Sequence, residues 1–421
     1  MGRGRSDPGD LRPRRRGATR TRLSGPRAIT GWIILAVAVH AAVLLLPLLG
    51  VGLFGQLGAA ALHDDRIFFD YASRTLAGAV PYRDFAIEYP PLAVPLFVIP
   101  RLVTHRLDAY VLWFAAEMLL FDALAVHLVA WYTAAREGRE KVPARLAWYT
   151  ASFAALYPVI GSRYDLAPAA VALAATLNWF GGRPVLGGLL TAAGALLKIF
   201  PAVLAAPAAA AELAAVRSTR CRGLAAFALA MLAGGGAWYA LGGAASVAFH
   251  LGRGLEIETT WAGALMLADK VVGVPLGWRY SHTAVDLVAP GAGTAAALAI
   301  PAQIAMLGGV VWQFRRSGMQ EPLRWAAAAV LAFIVPGKVL SPQYLVWLVP
   351  FIPAIGGPAG PAARRLFVIA CAATALEYLA IRQVSSFALW AIVVLNCRNA
   401  LLVALFVLLL RRDGPSARGR S

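Results

Sequence analysis

Apolar runs recur along the chain, separated by short polar stretches, and each run is apolar all round rather than on one face. Twelve are read as membrane spans: 29–54, 107–134, 145–161, 165–180, 184–198, 200–216, 223–243, 287–313, 325–338, 343–356, 366–381 and 386–410. An apolar run of about 20 residues crosses the hydrocarbon of a bilayer as one helix, whereas a helix on a soluble surface keeps a polar side. The first run is longer than a signal-peptide core and no small-x-small cleavage site follows it, so it is read as a retained span. The stretch between the first two runs is polar and carries a different pattern, with Ile67, Phe68, Tyr71, Ala72, Thr75 and Leu76 at helical spacing. That spacing predicts a short amphipathic helix lying in the membrane interface and ended by Gly78.

Residues 89–105, YPPLAVPLFVIPRLVTH, decide the topology. They are apolar but hold prolines at 90, 91, 95 and 100, which suit a broken surface helix better than a clean span. If the segment does not cross, 17 Lys and Arg after residue 135 fall on the cytoplasmic side, against seven outside (Arg163, Lys198, Arg253, Lys270, Arg279, Lys338 and Arg382). The positive-inside rule prefers that arrangement. Twelve spans then leave both termini in the cytoplasm. Eleven of the 21 carboxylates gather in the outer loops or at their edges. The expected organisation is a basic cytoplasmic tail over 1–28, one transmembrane domain over 29–410 with outer loops near 55–106 and 244–286, and a second basic tail over 411–421.

Composition agrees with lipid as the main solvent: 60% of residues are hydrophobic and 14% charged, against roughly 25% charged in soluble domains. Mean hydropathy is +0.67. The net charge of +18 sits in tails and short loops, with no groove-sized basic face, which argues against nucleic acid and for anionic membrane lipid as the partner. Cys221, Cys371 and Cys397 have neither disulfide nor metal-ligand spacing. The preference for Arg over Lys and the abundance of Ala point to a GC-rich bacterial genome, so the expected location is a bacterial plasma membrane.

The stretch HDDRIFFDYASRTLAGAVPYRDFAIEYPPL (63–92) carries the densest candidate chemistry. Asp64 and Asp65 follow the first span directly. Two carboxylates there are either a solvated turn or a general base, which partial burial would push toward a useful pKa. As a metal site, two adjacent carboxylates are a weak signal, so no metal is assigned and metal need is left open.

The chain resembles glycosyltransferase family 87, membrane mannosyltransferases of the GT-C type. The likeness runs from about residue 30 to 410. It is carried by Asp65 with Phe69, by Gly78 and Tyr82, by Tyr89-Pro90-Pro91, and by RYDLAPAAVALAA (163–175), GALLKIFPAVL (194–204), FHLGRGLEIETTW (249–261) and GKVLSPQYLVWLVP (337–350). Phe69 stands where the family often has Tyr, and Thr259 where one subgroup has Ser. The resemblance implies an all-α GT-C-like polytopic bundle and an inverting transfer on the outer face. The sugar, mannose in this family, would come from a polyprenyl-phosphate donor and pass to an envelope glycolipid or glycan. It implies an acidic base just after the first span; Asp65 matches that place best and Asp64 competes with it. No further cofactor is implied.

Departure of a polyprenyl phosphate leaves negative charge that cations in a low-dielectric site stabilise. In the absence of a Gly-rich phosphate loop, the candidates are Arg163, Lys198, His250, Arg253 and Lys338, with Asp165, Glu256, Glu258 and Gln343 beside them and Tyr82, Asp84, Glu88 and Tyr89 on the first outer loop. Plain structural explanations stand next to these: Arg163 with Asp165 as an ion pair at a span end, Lys198 snorkelling, and Tyr71, Tyr82, Tyr89, Trp261 and Tyr344 as an interfacial aromatic belt. Glu117, Asp122, Glu377 and Arg398 lie inside spans; Glu377 and Arg398 are expected to pair across the last two helices. A lipid or sugar transporter and a non-catalytic envelope scaffold are the alternative functions.

Overall fold

The computed structural model describes residues 25–49, 63–214, 221–317 and 321–411. The expected tails at 1–24 and 412–421, the end of the first span and the loop up to residue 62 lie outside the described residues. The chain is an integral membrane protein, almost wholly helical. Among the described residues, five helices are long and apolar enough to cross a membrane: α1 (Pro26–Leu48), α4 (Leu107–Arg136), α10 (Arg222–Ala240), α13 (Ala292–Arg316) and α17 (Leu389–Leu410). Between them come α2 (His63–Leu76), α3 (Ala93–Val103), α5 (Val142–Ala155), α6 (Tyr157–Ile160), α7 (Leu166–Phe180), α8 (Pro184–Leu197), α9 (Ala205–Ala214), α11 (Ala244–Gly252), α12 (Thr260–Val272), α14 (Pro322–Ile334), α15 (Gly360–Leu379) and α16 (Ile381–Ser385).

The proline-rich segment is an 11-residue helix, α3, about 16 Å long at 1.5 Å per residue and so roughly half of what a span requires. It packs on α2 and α4. Gly78, at φ +94, follows the end of α2, the left-handed geometry that stops a helix without steric cost.

Three expected spans are not single α-helices. The run 200–216 opens with a 3₁₀ turn, Phe200–Leu204, before α9. The run 145–161 breaks at Leu156, just before Pro158, into α5 and α6. The run 343–356 is built from 3₁₀ turns, Pro342–Leu348 and Ile352–Ala354. A 3₁₀ helix rises about 2.0 Å per residue, so a short segment reaches further than an α-helix of equal length. Pro342, Pro350 and Pro353 remove the donors that an α-helix would use, and most of this stretch is fully enclosed by its neighbours. One element was not foreseen. Residues 277–288 form an antiparallel hairpin, β1 (Gly277–Ser281) with β2 (Ala284–Val288), in the register Trp278↔Leu287 and Tyr280↔Val285.

The main core gathers α1, α4, α5, α7, α14, α15, α17 and the 3₁₀ segments around Trp325, Trp347, Phe153 and Phe314. A smaller cluster joins α12, α17 and the hairpin through Leu255, Ile257, Met266 and Ile392. Inside the bundle His40 Nδ1 meets Asp122 Oδ2 at 2.6 Å, Tyr149 donates to Asp122 Oδ1 at 2.9 Å, and both members of the ion pair are fully buried. Asp122 thus has the partners that a carboxylate inside a span requires.

Candidate active site

On α2, Asp65, Phe68 and Ala72 share one face at i, i+3 and i+7, and all three are fully buried. Phe68 stacks on Phe97 at 4.2 Å and meets Tyr89 and Tyr164 edge-on at 5.6 and 5.9 Å. This aromatic packing fixes the rotation of α2. It holds the Asp65 carboxyl inside, where neither oxygen has a hydrogen-bond partner among the described residues. Burial pushes its pKa up to about 8. Asp64, one helical step (about 100°) round, turns the other way and pairs with Arg163. The two acids diverge and do not converge on a shared cation.

Arg163 opens the stretch leading into α7, and two residues later Asp165 is the residue before that helix. Asp165 is buried and accepts from Lys198 Nζ at 2.6 Å and from the Trp347 indole N–H at 2.5 Å, both on Oδ1. Lys198 follows the last residue of α8, and its ammonium lies 4.6 Å from the Tyr164 ring centre and 5.6 Å from that of Trp347. Tyr344 and Phe200 sandwich Trp347 at 4.0 and 4.2 Å. A cation held by one carboxylate and two aromatic faces keeps its charge away from bulk water.

A second group of charges stands within electrostatic reach of the first through Glu88, whose charge acts on Lys198, His250 and Arg253. The Glu88 carbonyl accepts from Ser246 and the His250 ring, each at 2.8 Å. Its carboxylate accepts from Thr283 at 3.3 Å. Arg253 reaches Glu256 at 3.2 Å. Lys338 donates to the carbonyls of Leu251 and Arg253 at 2.7 and 2.9 Å. Tyr82 donates to the Tyr89 carbonyl at 2.8 Å, which folds the loop between α2 and α3 back on the Tyr-Pro-Pro step.

The structure therefore brings together Asp64, Arg163, Asp165, Lys198, Glu88, Tyr89, His250, Arg253, Glu256 and Lys338, drawn from segments almost 300 residues apart. Gln343 lies half-buried in the adjoining 3₁₀ turn. Asp84 stays outside the cluster: it pairs with Arg83 and caps Val80 N–H at 2.7 Å, and these partners hold its carboxyl down at about 2. Glu256 and Glu258 are buried and tied to protein groups. Glu256 accepts from Leu340 N–H at 2.7 Å and Ser341 Oγ at 2.9 Å. Glu258 lies beside Glu377, and burial together with that neighbouring charge holds its carboxyl well above the usual range.

The model of glycosyltransferase family 87 matches residues 87–342, more than half of the chain and the stretch that supplies most of this cluster. The chain belongs to glycosyltransferase family 87. It is a membrane glycosyltransferase. The apo crystal structure of ArnT from Cupriavidus metallidurans is similar over 91% of this chain and 77% of that one, at 13% identity and a TM-score of 0.45. No curated relative matches the sequence.

Several residues of the candidate site are not singled out by the sequence. Tyr164 and Trp347 form the Lys198 cage; both stand in stretches that carry the family resemblance, 163–175 and 337–350, but neither is marked there as a site residue. Ser246 and Thr283 bind Glu88 from residues 158 and 195 positions away, and nothing local announces them. The hairpin tip gave no turn signal either. His282 and Thr283 both adopt positive φ, 49° and 59°, in a sequence, Ser-His-Thr-Ala, that lacks the glycine or asparagine such a turn prefers. Beside Trp347, Phe333 borders an apolar cavity of about 180 Å³ lined also by Val203, Ile300, Gln303, Ile304 and Leu307.

Proposed function

We propose that this family 87 enzyme transfers a sugar, mannose by family resemblance, from a polyprenyl-phosphate donor to an envelope glycolipid or glycan, with inversion and on the outer face of a bacterial plasma membrane. The observation that carries the reading is the gathering of four cations at one end of the bundle: Arg163 on Asp64, Lys198 on Asp165, Arg253 on Glu256 within reach of Glu88, and Lys338 on the Arg253 carbonyl. The opposite charge cluster, Arg136 with Glu321 at 3.8 Å and Arg145 with Glu137, joins the loops expected in the cytoplasm. That separation, and the shortness of α3, support the topology of twelve spans with both termini inside and α2 lying in the interface.

In this reading the acceptor hydroxyl attacks the anomeric carbon from the face opposite the phosphate. Its proton passes to Asp65. The bond between the anomeric carbon and the phosphate oxygen breaks, and its electron pair leaves with the polyprenyl phosphate. Asp65 suits the base because both oxygens are unpartnered and its pKa, about 8, lies near working pH, where general-base catalysis is most efficient. Asp64 is committed to Arg163. Lys198, Arg253 and Lys338 stabilise the charge left on the phosphate, worth most in a site shielded from water.

The test is transfer from radiolabelled polyprenyl-phosphate mannose to a panel of envelope lipids in membranes. Wild type is expected to label one acceptor class, and Asp65→Asn to lose that labelling at unchanged expression. Full labelling by Asp65→Asn overturns the base assignment. Vesicle uptake or scrambling of the lipid without any sugar transfer favours the transporter.

A further inference from the structure

The loop 253–258 carries Arg253 but is not itself a helix or strand of the bundle, so something must set its position. On one side β2 pairs with it: Ile257 N–H donates to Val285 O at 2.9 Å and Leu287 N–H to Leu255 O at 2.8 Å. On another side lies the 338–341 segment. Glu256 N–H donates to Lys338 O at 3.0 Å, and the Glu256 carboxylate receives Leu340 N–H and Ser341 Oγ. From beneath, α17 presents three polar side chains in four residues. Arg398 Nη2 donates to the Glu258 carbonyl at 2.7 Å, Asn399 Nδ2 to the Thr259 carbonyl at 3.3 Å, and Asn396 Nδ2 to the Gly263 carbonyl at 3.1 Å. Gly263 leaves room for this approach, since a Cβ there would stand 2.7 Å from Asn396 Oδ1.

Arg398 is fully buried, and its charge is met by Glu377 on α15 at 3.7 Å, also fully buried. Such a pair is costly to desolvate and gives little stability over a well-packed apolar pair. Its contacts show where it acts: a hydrogen bond of a charged donor to a loop carbonyl, among the stronger kinds, placed five residues from Arg253. Replacing the pair with apolar residues would remove that bond.

We propose that Arg398, with Asn399, Asn396 and the counter-charge Glu377, is a positioning group that holds residues 258–263 and thereby sets where Arg253 meets the donor phosphate. The proposal rests on the polyprenyl-phosphate reading for its functional consequence, while its structural part stands by itself. The double variant Arg398→Met/Glu377→Gln removes both charges of the pair together and leaves Glu258 as the remaining buried acid beside it. Hydrogen exchange on the full chain in nanodiscs is expected to run about tenfold faster over 250–262 in that variant, with α3 unchanged. Polyprenyl-phosphate mannose is expected to show a donor KM about tenfold higher, with acceptor KM and kcat within about twofold, and Arg398→Lys is expected to recover part of the donor affinity. Asn399→Ala, which removes one neutral hydrogen bond, gives the same pattern at about threefold if the double variant does not fold. Unchanged exchange over 250–262, or a rise in acceptor KM in place of donor KM, overturns the proposal. Arg253→Ala with an unaltered donor KM overturns the phosphate reading instead, and leaves the exchange result as the judge of the clamp.

Discussion

Asp65→Asn is expected to make the protein inactive and more stable at once. The carboxyl is fully buried without a hydrogen-bond partner, and burial raises its pKa from 3.8 to about 8. The sign follows from linkage. Below about pH 4 native and unfolded chains both hold the proton, and nothing is lost. Between about 4 and 8 the unfolded chain releases it while the native chain keeps it, so stability falls as pH rises; above about 8 the fall stops. At pH 7 the cost is about 4 kcal/mol, from roughly 1.36 kcal/mol per unit over about three units. Asparagine escapes this cost, and its unpartnered amide replaces a neutral carboxyl that is equally unpartnered, so that penalty is shared by both proteins. A net gain of about 4 kcal/mol at pH 7 is expected. Thermal unfolding of both proteins in nanodiscs at pH 5, 6, 7 and 8 measures it. The advantage of the variant should widen from pH 5 to 8, while transfer stays absent throughout. A variant no more stable than wild type at pH 8, or a gap that does not change with pH, would refute the claim that burial sets this carboxyl.

Three further outcomes follow from the same geometry. Transfer measured as kcat/KM should rise between pH 6.5 and 9 with an inflection near the raised pKa of Asp65, about 8, because the base must be ionised before it can accept a proton; a flat profile counts against it. Trp347→Phe keeps the ring stack on Phe200 and Tyr344 but deletes the indole donor to Asp165, and a loss of about 1–2 kcal/mol in transition-state stabilisation, roughly tenfold in kcat/KM, is expected. His40→Phe leaves Asp122 buried with Tyr149 alone and should destabilise the protein by about 3–5 kcal/mol, whereas His40→Phe/Asp122→Asn should recover most of that, both read by thermal unfolding.

Hydropathy and charge along the chain were enough to establish a polytopic helical membrane protein, the shortness of the proline-rich segment near Pro95, the helix after the first span, and the pairing of Glu377 with Arg398 now seen at 3.7 Å. These are properties of windows of about 20 residues or of charges too costly to leave alone in lipid, so they survive without knowledge of the fold. The motif order also pointed to family 87 and to most of the charged cluster. The tertiary structure alone decided the rest. It separated Asp64 from Asp65 by the packing of Phe68, drew Glu256 and Glu258 into the protein's own hydrogen bonds, left Asp84 in a local turn, and made Trp347 part of the site. It also split the 145–161 and 343–356 runs and folded 277–288 into a hairpin. The split of the two aspartates, the ties of Glu256 and the place of Trp347 depend on partners from 29 residues away, Phe97 for Phe68, to 182 away, Asp165 for Trp347, and a one-dimensional pattern of polarity does not record which distant backbone amide or ring a buried side chain will meet.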